Sequence, residues 1–282
     1  MPEWPEIACR TREMNARLVG RRIEEVEVRQ PKCLNVSEGT FAVALRGQAF
    51  GDISCRGKWI LAETTGPTLL LNLGMGGEIL LVPSGHPPEA WKVRFRLGPE
   101  TLSINFWWFG SAHIVDANRL DEHPTVGRLG PDAPAVSVDD LASLLRGRRG
   151  AIKPFLLDQT KVAGIGNAYI HDILFRARLH PLRPIATLAP PEIRRLHAAI
   201  VGELERSLEK GGAFYEVDLD GRRGGFTALD LQVGYREGSP CPVCGTTIVK
   251  IKTGSTSSYI CPRCQRMEGA SPTNAATSAA RA

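Results

Sequence analysis

The sequence predicts an α+β chain of several domains: an antiparallel β-sandwich with an N-terminal helix, then a helical domain, then a cysteine-bearing β-hairpin. Three observations lead to this prediction. Apolar residues alternate with polar ones from about residue 23 to residue 105. A helical period returns beyond Asp139, and four cysteines fall in two close pairs near the C-terminus.

The first helix and the strands that follow it are distinguished by their period. Pro5 suits the first turn of a helix, and Gly20 ends the helical pattern. Between them, the residues at helical spacing are Ile7, Thr11, Met14 and Leu18. From about residue 23 the period changes to two, on short runs that carry Val26/Val28, Trp59/Leu61, Leu69/Leu71, Ile79/Leu81, Val93/Phe95/Leu97 and Leu102/Ile104. Such strands without intervening helices are typical of an antiparallel sandwich or barrel.

The second half of the chain has a helical pattern up to the cysteine pairs. Asp139 and Asp140 are candidate caps for a helix that carries Leu141, Leu144 and Leu145. The clearest helix covers residues 192–209, and residues 211–225 form a glycine-rich loop that looks mobile. The predicted divisions are a β-sandwich domain at 1–125, a linker at 126–138, a helical domain at 139–231, a four-cysteine finger at 232–266 and a disordered tail at 267–282.

Charge is distributed unevenly along the chain. The 282 residues carry a formal net charge of +5, with −3 on residues 1–145 and +8 on residues 146–266. A basic C-terminal half suits a polyanion such as nucleic acid, although a solvated basic surface has the same composition. No apolar run reaches the ~20 residues of a membrane helix, and the start lacks the order of a signal peptide. We therefore expect a cytoplasmic protein.

The strongest single motif is a pair of CxxC knuckles. Cys241-Pro-Val-Cys244 is followed, after sixteen residues, by Cys261-Pro-Arg-Cys264. This spacing supplies four thiolates tetrahedrally to one zinc ion, and a site without an open ligand position is structural. The stretch between the knuckles predicts a β-hairpin that turns at Gly254. A redox pair is the alternative, and a zinc ribbon occurs in transcription, translation and repair proteins alike, so the motif identifies a metal and not a reaction.

The N-terminus carries groups suited to covalent catalysis. If Met1 is removed, which a small second residue permits, Pro2 exposes a secondary amine. A chain-terminal amine has a reference pKa of about 7.7–8.0, against about 10.4 for lysine, so part of it is unprotonated near neutral pH. Such an amine can attack a sugar C1′ and form an imine, with Glu3 and Glu6 available for proton transfer. On these residues alone, a plain proline-rich terminus is the favoured alternative.

Further motifs change that balance. They are Met1-Pro-Glu-Trp-Pro-Glu6, Arg56-Gly-Lys58-Trp59, Leu73-Gly-Met75-Gly-Gly77, Ala151-Ile-Lys153-Pro154, Gly164-Ile-Gly-Asn167-Ala-Tyr169, Leu174-Phe-Arg-Ala177 and His180-Pro181. With the four-cysteine finger they run over about residues 1–266 in an order that resembles the formamidopyrimidine-DNA glycosylase and endonuclease VIII family. Each motif is weak alone, and together they are highly specific. The resemblance implies a β-sandwich, a helix–two-turn–helix domain and a zinc finger, in a monomer that binds damaged DNA.

The resemblance also implies an activity and its catalytic groups. The implied reaction is excision of a damaged base, followed by strand cleavage at the abasic site (AP lyase activity). Pro2 would be the nucleophile that displaces the base, and Glu3 the general acid at the sugar ring. Lys58 would contact phosphate near the lesion and assist catalysis.

DNA contacts are carried over in the same way. Lys153 and Asn167 would hold the DNA backbone, with the glycine turn ending at Gly166 letting amide groups approach phosphate closely. Met75 would fill the gap left by the everted nucleotide. The structural alternatives are a core position for Met75, a helix cap for Asn167 and a solvated surface charge for Lys153.

Two positions depart from the family pattern. In the stretch Asn105–Gly110, which includes Trp107 and Phe109, Trp108 stands where the family has an arginine that reads the partner base. An indole can stack but has a single donor, unless these tryptophans are buried in the sandwich.

The other departure lies in the finger. Thr256 replaces its phosphate-gripping arginine, which leaves Lys252 and Arg263 as the candidates to supply the missing charge. Both replacements make the usual oxidised purine a doubtful substrate.

Two alternative functions remain open on the sequence. The first keeps the fold but makes the protein a binder of DNA damage without turnover, or one that acts only on abasic sites. The second is a zinc-ribbon protein that binds RNA. The intact Pro2-Glu3 pair argues against both, and the two missing arginines favour the first.

Overall fold

The structure, a computed structural model, describes residues 1–86 and 88–267. Its helices are α1 (Trp4–Leu18), α2 (Glu38–Leu45), α3 (Val138–Leu145), α4 (Ile152–Leu157), α5 (Ile170–Arg176) and α6 (Pro190–Glu209). Its strands are β1 (Glu25–Val28), β2 (Phe50–Arg56), β3 (Trp59–Thr64), β4 (Thr68–Asn72), β5 (Glu78–Pro83), β6 (Val93–Leu97), β7 (Glu100–Asn105), β8 (Ser111–Val115), β9 (Val249–Thr253) and β10 (Thr256–Ile260). The predicted α+β class is confirmed. The predicted disordered tail, except for Met267, lies outside the described residues.

Two four-stranded antiparallel sheets form the sandwich, with strand orders β1-β6-β7-β5 and β2-β3-β4-β8. Apolar residues from both sheets meet in one buried core, for example Leu69 and Leu71 from one and Phe95 and Ile104 from the other. This is the sandwich that the period of two predicts, because alternate residues of each strand share one face.

Three elements of this region escaped the sequence analysis for local reasons. The β2–β3 pairing shifts register between Phe50 and Ile53, so β2 lacks a regular alternation. Strand β8 is short, with His113 at its centre. Helix α2 buries only Phe41 and Leu45, and Gly39 in its first turn weakens its helical signal.

Helix α1 joins this core as predicted and places its N-terminus near a glycine turn. Ile7, Met14 and Leu18 are buried in the sandwich core. The backbone N–H of Trp4 donates to the carbonyl oxygen of Gly164 at 3.0 Å. The first turn of α1 is thereby fixed against residues far along the chain.

The other face of the second sheet is covered by the segment predicted as a linker. Trp59 and Leu70 pack with Val126, Leu129 and Ala163 in a second apolar cluster. Among the described residues, those within 1–136, 157–166 and 201–230 form one compact unit. Those within 137–156, 167–200 and 231–267 form another. The predicted domain boundaries remain a prediction.

In the second unit, helix α3 begins earlier than predicted. The hydroxyl of Ser137 accepts a hydrogen bond from the backbone N–H of Asp140 at 3.1 Å, so the cap is Ser137 and neither Asp139 nor Asp140. Strands β9 and β10 form the predicted hairpin, with Gly254 in its turn at φ +70°. Among the described residues, no helix combines the length and the apolar character needed to span a bilayer.

A histidine pair lies beside Trp59 in the first unit. Nδ1 of His123 accepts from the backbone N–H of Val126 at 3.0 Å, which leaves its proton on Nε2. Nε2 of His123 therefore donates to Nδ1 of His113 at 2.8 Å. Burial and the nearby His123 lower the pKa of His113 to about 4.

This pair predicts a specific loss of stability in acid. The pKa of His113 falls from 6.5 to about 4 on folding, so between these values the unfolded chain binds more protons. The contribution is complete above about pH 6.5 and is lost as the pH falls towards 4. Thermal unfolding from pH 7 to 4 is expected to show a shallower decline for His113→Gln than for the parent chain. The exposed His86→Gln control should keep the parental slope, and a parental slope for His113→Gln would contradict the prediction.

Candidate functional site

Two carboxylates at the start of α1 are fixed by backbone amides. Oε2 of Glu6 accepts from the N–H of Glu3 at 2.8 Å, and Oε1 of Glu6 accepts from the N–H of Ala213 at 3.1 Å. Oε2 of Glu3 accepts from the N–H of Gly166 at 2.6 Å. Pro2, Glu3 and Glu6 are all buried. The sequence-predicted catalytic groups of the N-terminus therefore lie together, and their carboxylates have defined orientations.

Gly166 is the point where Glu3 and Lys58 meet. A Cβ atom at residue 166 would overlap both the carboxylate of Glu3 and Nζ of Lys58. Gln159 fixes this turn from below, since its side-chain oxygen accepts from the N–H of Gly164 at 2.9 Å and its Nε2 donates to the carbonyl of Ile165 at 2.9 Å. Only glycine at 166 leaves room for the two charged groups to approach each other.

Lys58 is presented by the turn between β2 and β3. Gly57 adopts a φ of +58° in this turn, and its N–H donates to the carboxylate of Asp132. The side chain of Asn72 donates to the carbonyl of Lys58 at 3.0 Å. Burial lowers the pKa of the Lys58 ammonium, although the carboxylates of Glu3 and Glu6 act to raise it. A lysine with a lowered pKa gives up its proton more readily than an exposed lysine does, which suits proton transfer with a neighbouring carboxylate.

Met75 and the tryptophan stretch form one exposed apolar tip. The N–H of Met75 donates to the carbonyl of Trp108 at 2.8 Å, and the N–H of Trp107 donates to the carbonyl of Met75 at 3.0 Å. The side chains of Met75, Trp107, Trp108 and Phe109 are 49%, 72%, 64% and 78% exposed. A core position is therefore excluded for these residues. Exposed aromatic rings on a paired backbone suit stacking against bases.

Beside this tip lies a cavity of about 440 Å³ that reaches the N-terminus. Its lining residues are Met1, Gly76, Gly77, Glu78, Trp107, Tyr215, Glu216, Val217 and Arg223. Of these, Trp107 was a candidate DNA-binding residue on the sequence, and Arg223 could be interpreted either as a DNA contact or as a solvated loop charge.

Part of the cavity lining comes from the glycine-rich loop, residues 211–225. Hydrogen bonds join this loop to one face of α1. Besides the bond from Ala213 to Glu6, Arg10 donates to the carbonyl of Val217, and Glu13 accepts from the N–H of Leu219 at 3.0 Å. The loop that looked mobile on the sequence has three anchors in the structure, at successive turns of α1.

In the second unit, Lys153 is joined to the finger hairpin. Its ammonium donates to Oγ1 of Thr256 at 3.1 Å, to the carbonyl of Ser257 at 2.7 Å and to Oγ of Ser258 at 2.8 Å, and it lies 3.3 Å from Oγ1 of Thr253. The residue is 1% exposed, and burial lowers its pKa to about 8. The alternative of a solvated surface charge is therefore wrong. The ammonium holds the hairpin, and the expected contact to DNA would require it to leave these acceptors.

Other predicted DNA contacts remain available on this unit. Lys252 and Arg263 are exposed. The buried Oδ1 of Asn167 has no hydrogen-bond partner within the described residues, and the carbonyl of Asn167 accepts from the hydroxyl of Tyr235 at 3.3 Å. A buried polar atom without a partner is the kind of group that a ligand or water satisfies.

The four cysteines converge as the spacing predicts. The Sγ atoms of Cys241, Cys244, Cys261 and Cys264 all lie within 4.8 Å of one another, among the described residues. Gln265 fixes the second knuckle, because its Oε1 accepts from the N–H of Cys261 at 3.1 Å and its Nε2 donates to the carbonyl of Leu179 at 2.9 Å. Four thiolates at these separations fit one structural zinc ion.

Several site residues were missed by sequence reasoning. Asn72 carried a weak signal, since an asparagine at a strand end before a glycine loop often bonds to backbone. Gln159 and Glu216 carried none, because their roles arise from contacts with residues distant in sequence.

Comparisons with known proteins agree with this arrangement. Family models match for the formamidopyrimidine-DNA glycosylase N-terminal domain at residues 1–107, the formamidopyrimidine-DNA glycosylase H2TH domain at residues 129–217, and a zinc finger found in FPG and IleRS at residues 238–266. Formamidopyrimidine-DNA glycosylases of Symbiobacterium thermophilum and Roseiflexus sp. are 38% and 37% identical over 94% of this chain, and the matches cover 89% and 100% of those proteins.

Solved structures give the same result. The complex of Lactococcus lactis Fpg with DNA containing an abasic site has a TM-score of 0.87 at 28% identity, over 94% of this chain and 99% of that chain. A complex of the same enzyme with DNA containing an oxidised pyrimidine has a TM-score of 0.86 at 28% identity, over 94% of this chain and 100% of that chain.

Proposed function

The chain belongs to the formamidopyrimidine-DNA glycosylase family, whose members excise damaged bases, and from that premise we propose that it works through an imine at Pro2 and also cleaves the abasic strand. The main support is the position of Glu3 between Pro2 and Lys58. The buried Pro2 precedes a carboxylate, that of Glu3, which is bonded to the N–H of Gly166 and lies beside the ammonium of Lys58. A nucleophile, an acid and a cation are thus available at one point.

The proposed chemistry balances with these groups. Removal of Met1 frees the Pro2 nitrogen, which attacks C1′ while the bond from C1′ to the damaged base breaks and the base leaves with the electron pair. Glu3 takes the proton that the Pro2 nitrogen loses and passes it to O4′ as the C1′–O4′ bond opens, which leaves an iminium between Pro2 and the sugar. Loss of a C2′ proton to solvent expels the 3′ phosphate, and water hydrolyses the iminium to release the enzyme. Lys58 stabilises the nearby phosphate charge.

The target nucleotide must first leave the helix. Eversion costs a few kcal/mol, and stacking of an aromatic side chain in the gap returns about 1–3 kcal/mol per base. We assign this stacking to Trp108 and Phe109, with Met75 filling the gap. Asn167, Lys252 and Arg263 contact phosphates, while Lys153 positions the finger. This assignment rests on the exposure of the aromatic tip and of Lys252 and Arg263. Asn167 would contact phosphate through its side-chain N–H groups, because its Oδ1 can only accept a hydrogen bond.

The proposed lesion class is other than the usual oxidised purine. Trp108 and Thr256 stand where the family has arginines, so base readout on the partner strand and one phosphate grip are both weakened. A protein that binds damage without turnover, or that acts only on abasic sites, is the second candidate. The two arginine replacements favour it, and the intact Pro2-Glu3 pair argues for turnover.

Trapping with borohydride separates these candidates. The parent chain, shown by mass spectrometry to begin at Pro2, is expected to become covalently attached to lesion-containing and abasic-site DNA when the imine is reduced. Pro2→Gly should reduce trapping at least tenfold, because it replaces the secondary amine and its fixed ring. The exposed Pro31→Gly is the matched control. Retention of Met1, or equal trapping by Pro2→Gly, would rule out the proposed nucleophile.

Trp108 predicts weak discrimination of the base opposite the lesion. Across A, C, G and T partners, kcat/KM for excision by the parent chain is expected to vary less than tenfold, because an indole has one donor. Trp108→Arg should widen this range, since a guanidinium reads base edges. Val43→Arg adds the same charge at an exposed position on α2 and should leave the range unchanged. Strong partner dependence in the parent chain would contradict the prediction.

A further inference from the structure

Glu216 is a titratable group in the cavity that the chemistry above does not use. It lies in a turn of loop 211–225, in which its N–H donates to the carbonyl of Ala213 at 3.0 Å and its carbonyl accepts from the N–H of Gly224 at 3.1 Å. The N–H of Ala213 is itself bonded to Glu6. The backbone of Glu216 is thus tied, through one turn, to the carboxylate that caps α1.

Charged groups near Glu216 affect the pKa of its carboxyl group. Burial raises the pKa of the Glu216 carboxyl to about 7, and the carboxylate of Glu6 raises it further, whereas the chain terminus and Arg10 lower it. Glu78 and Arg223 line the same cavity. Near neutral pH this side chain is therefore divided between a carboxylic acid, which donates a hydrogen bond, and a carboxylate, which only accepts.

The cavity combines the volume of a small-molecule site with an aromatic side chain in its lining. Its volume of about 440 Å³ lies within the range of small-molecule pockets, about 300–1,000 Å³. Trp107 provides an aromatic wall beside Gly76, since a Cβ at Gly76 would come within 3.0 Å of the indole. Met1 is among the lining residues, so the cavity lies next to the residue that precedes the proposed nucleophile, Pro2.

We propose that Glu216 is a specificity-determining residue, whose carboxylic acid donates a hydrogen bond to a carbonyl oxygen of the everted base. The cavity then selects damaged bases that present a carbonyl to this wall. Ionisation of Glu216 replaces the donor by a negative charge that repels the carbonyl. This inference rests on the proposed function, since the cavity meets a base only if C1′ lies at Pro2.

The test compares the pH dependence of two reactions of the full zinc-bound chain. Excision is measured as kcat/KM on duplex DNA with a carbonyl-bearing damaged pyrimidine, and each value is divided by the rate of borohydride trapping of the same protein on abasic-site DNA, which has no base. This ratio cancels effects of pH on the Pro2 amine. It is expected to fall at least about tenfold from pH 6.5 to 8.5, as an acid with a pKa near 7 ionises.

Variants identify the group responsible. Glu216→Gln keeps an N–H donor and does not titrate, so its ratio should stay level over this range. Glu216→Ala has no donor and should give a low ratio at every pH. Glu205→Gln, at an exposed position on α6, should follow the parent chain. Melting temperatures show whether each variant folds.

Different outcomes would overturn the role of Glu216 and the proposed function. A parent chain that traps on abasic-site DNA but shows a level ratio, or a Glu216→Gln ratio that falls as the parent's does, would overturn the role of Glu216 alone. A parent chain that traps no DNA would overturn the proposed function.

Discussion

The whole candidate site depends on one close approach, at Gly166, where a carboxylate and an ammonium meet above a backbone with no side chain. Glu3 reaches the N–H of Gly166 at 2.6 Å, and the same space admits Lys58. The glycine turn is held by Gln159 and bonded to the first residue of α1. The start of α1, the turn that presents Lys58 and the glycine turn at 164–166 therefore constrain one another. A shift in one of them would displace the other two.

The charged residues of α1 organise structure and chemistry together. Glu6 joins the N–H of Glu3 to loop 211–225, while Arg10 and Glu13 hold the same loop further along the helix. A wall of the cavity is thus fixed by the helix that presents the proposed nucleophile. The second unit uses a different device, because the buried ammonium of Lys153 is shared among hydroxyls and a carbonyl of the finger hairpin. In both units, charged side chains that a sequence would place at the surface make hydrogen bonds within the protein.

Local patterns made much of the fold predictable, and distant contacts account for what was missed. The period of α1, the alternating strands and the cysteine spacing are encoded within a few residues of each other, as is the Pro2-Glu3 pair. The register shift in β2 and the cap at Ser137 were not predicted, because several neighbouring residues could occupy either position equally well. The anchoring of loop 211–225 and the burial of Lys153 join residues about 100 or 200 positions apart. No spacing rule along the chain contains that information.

The most direct test of the central claim is the excision rate of Gly166→Ala. Gly166 has no positive φ, so alanine is allowed by the backbone, and its only effect is a methyl group in the space of Glu3 and Lys58. Displacing these groups by about 1 Å is expected to reduce excision about 100-fold. Gly202→Ala, on α6 with open space around it, should retain parental activity. A folded Gly166→Ala protein with parental excision would contradict the account.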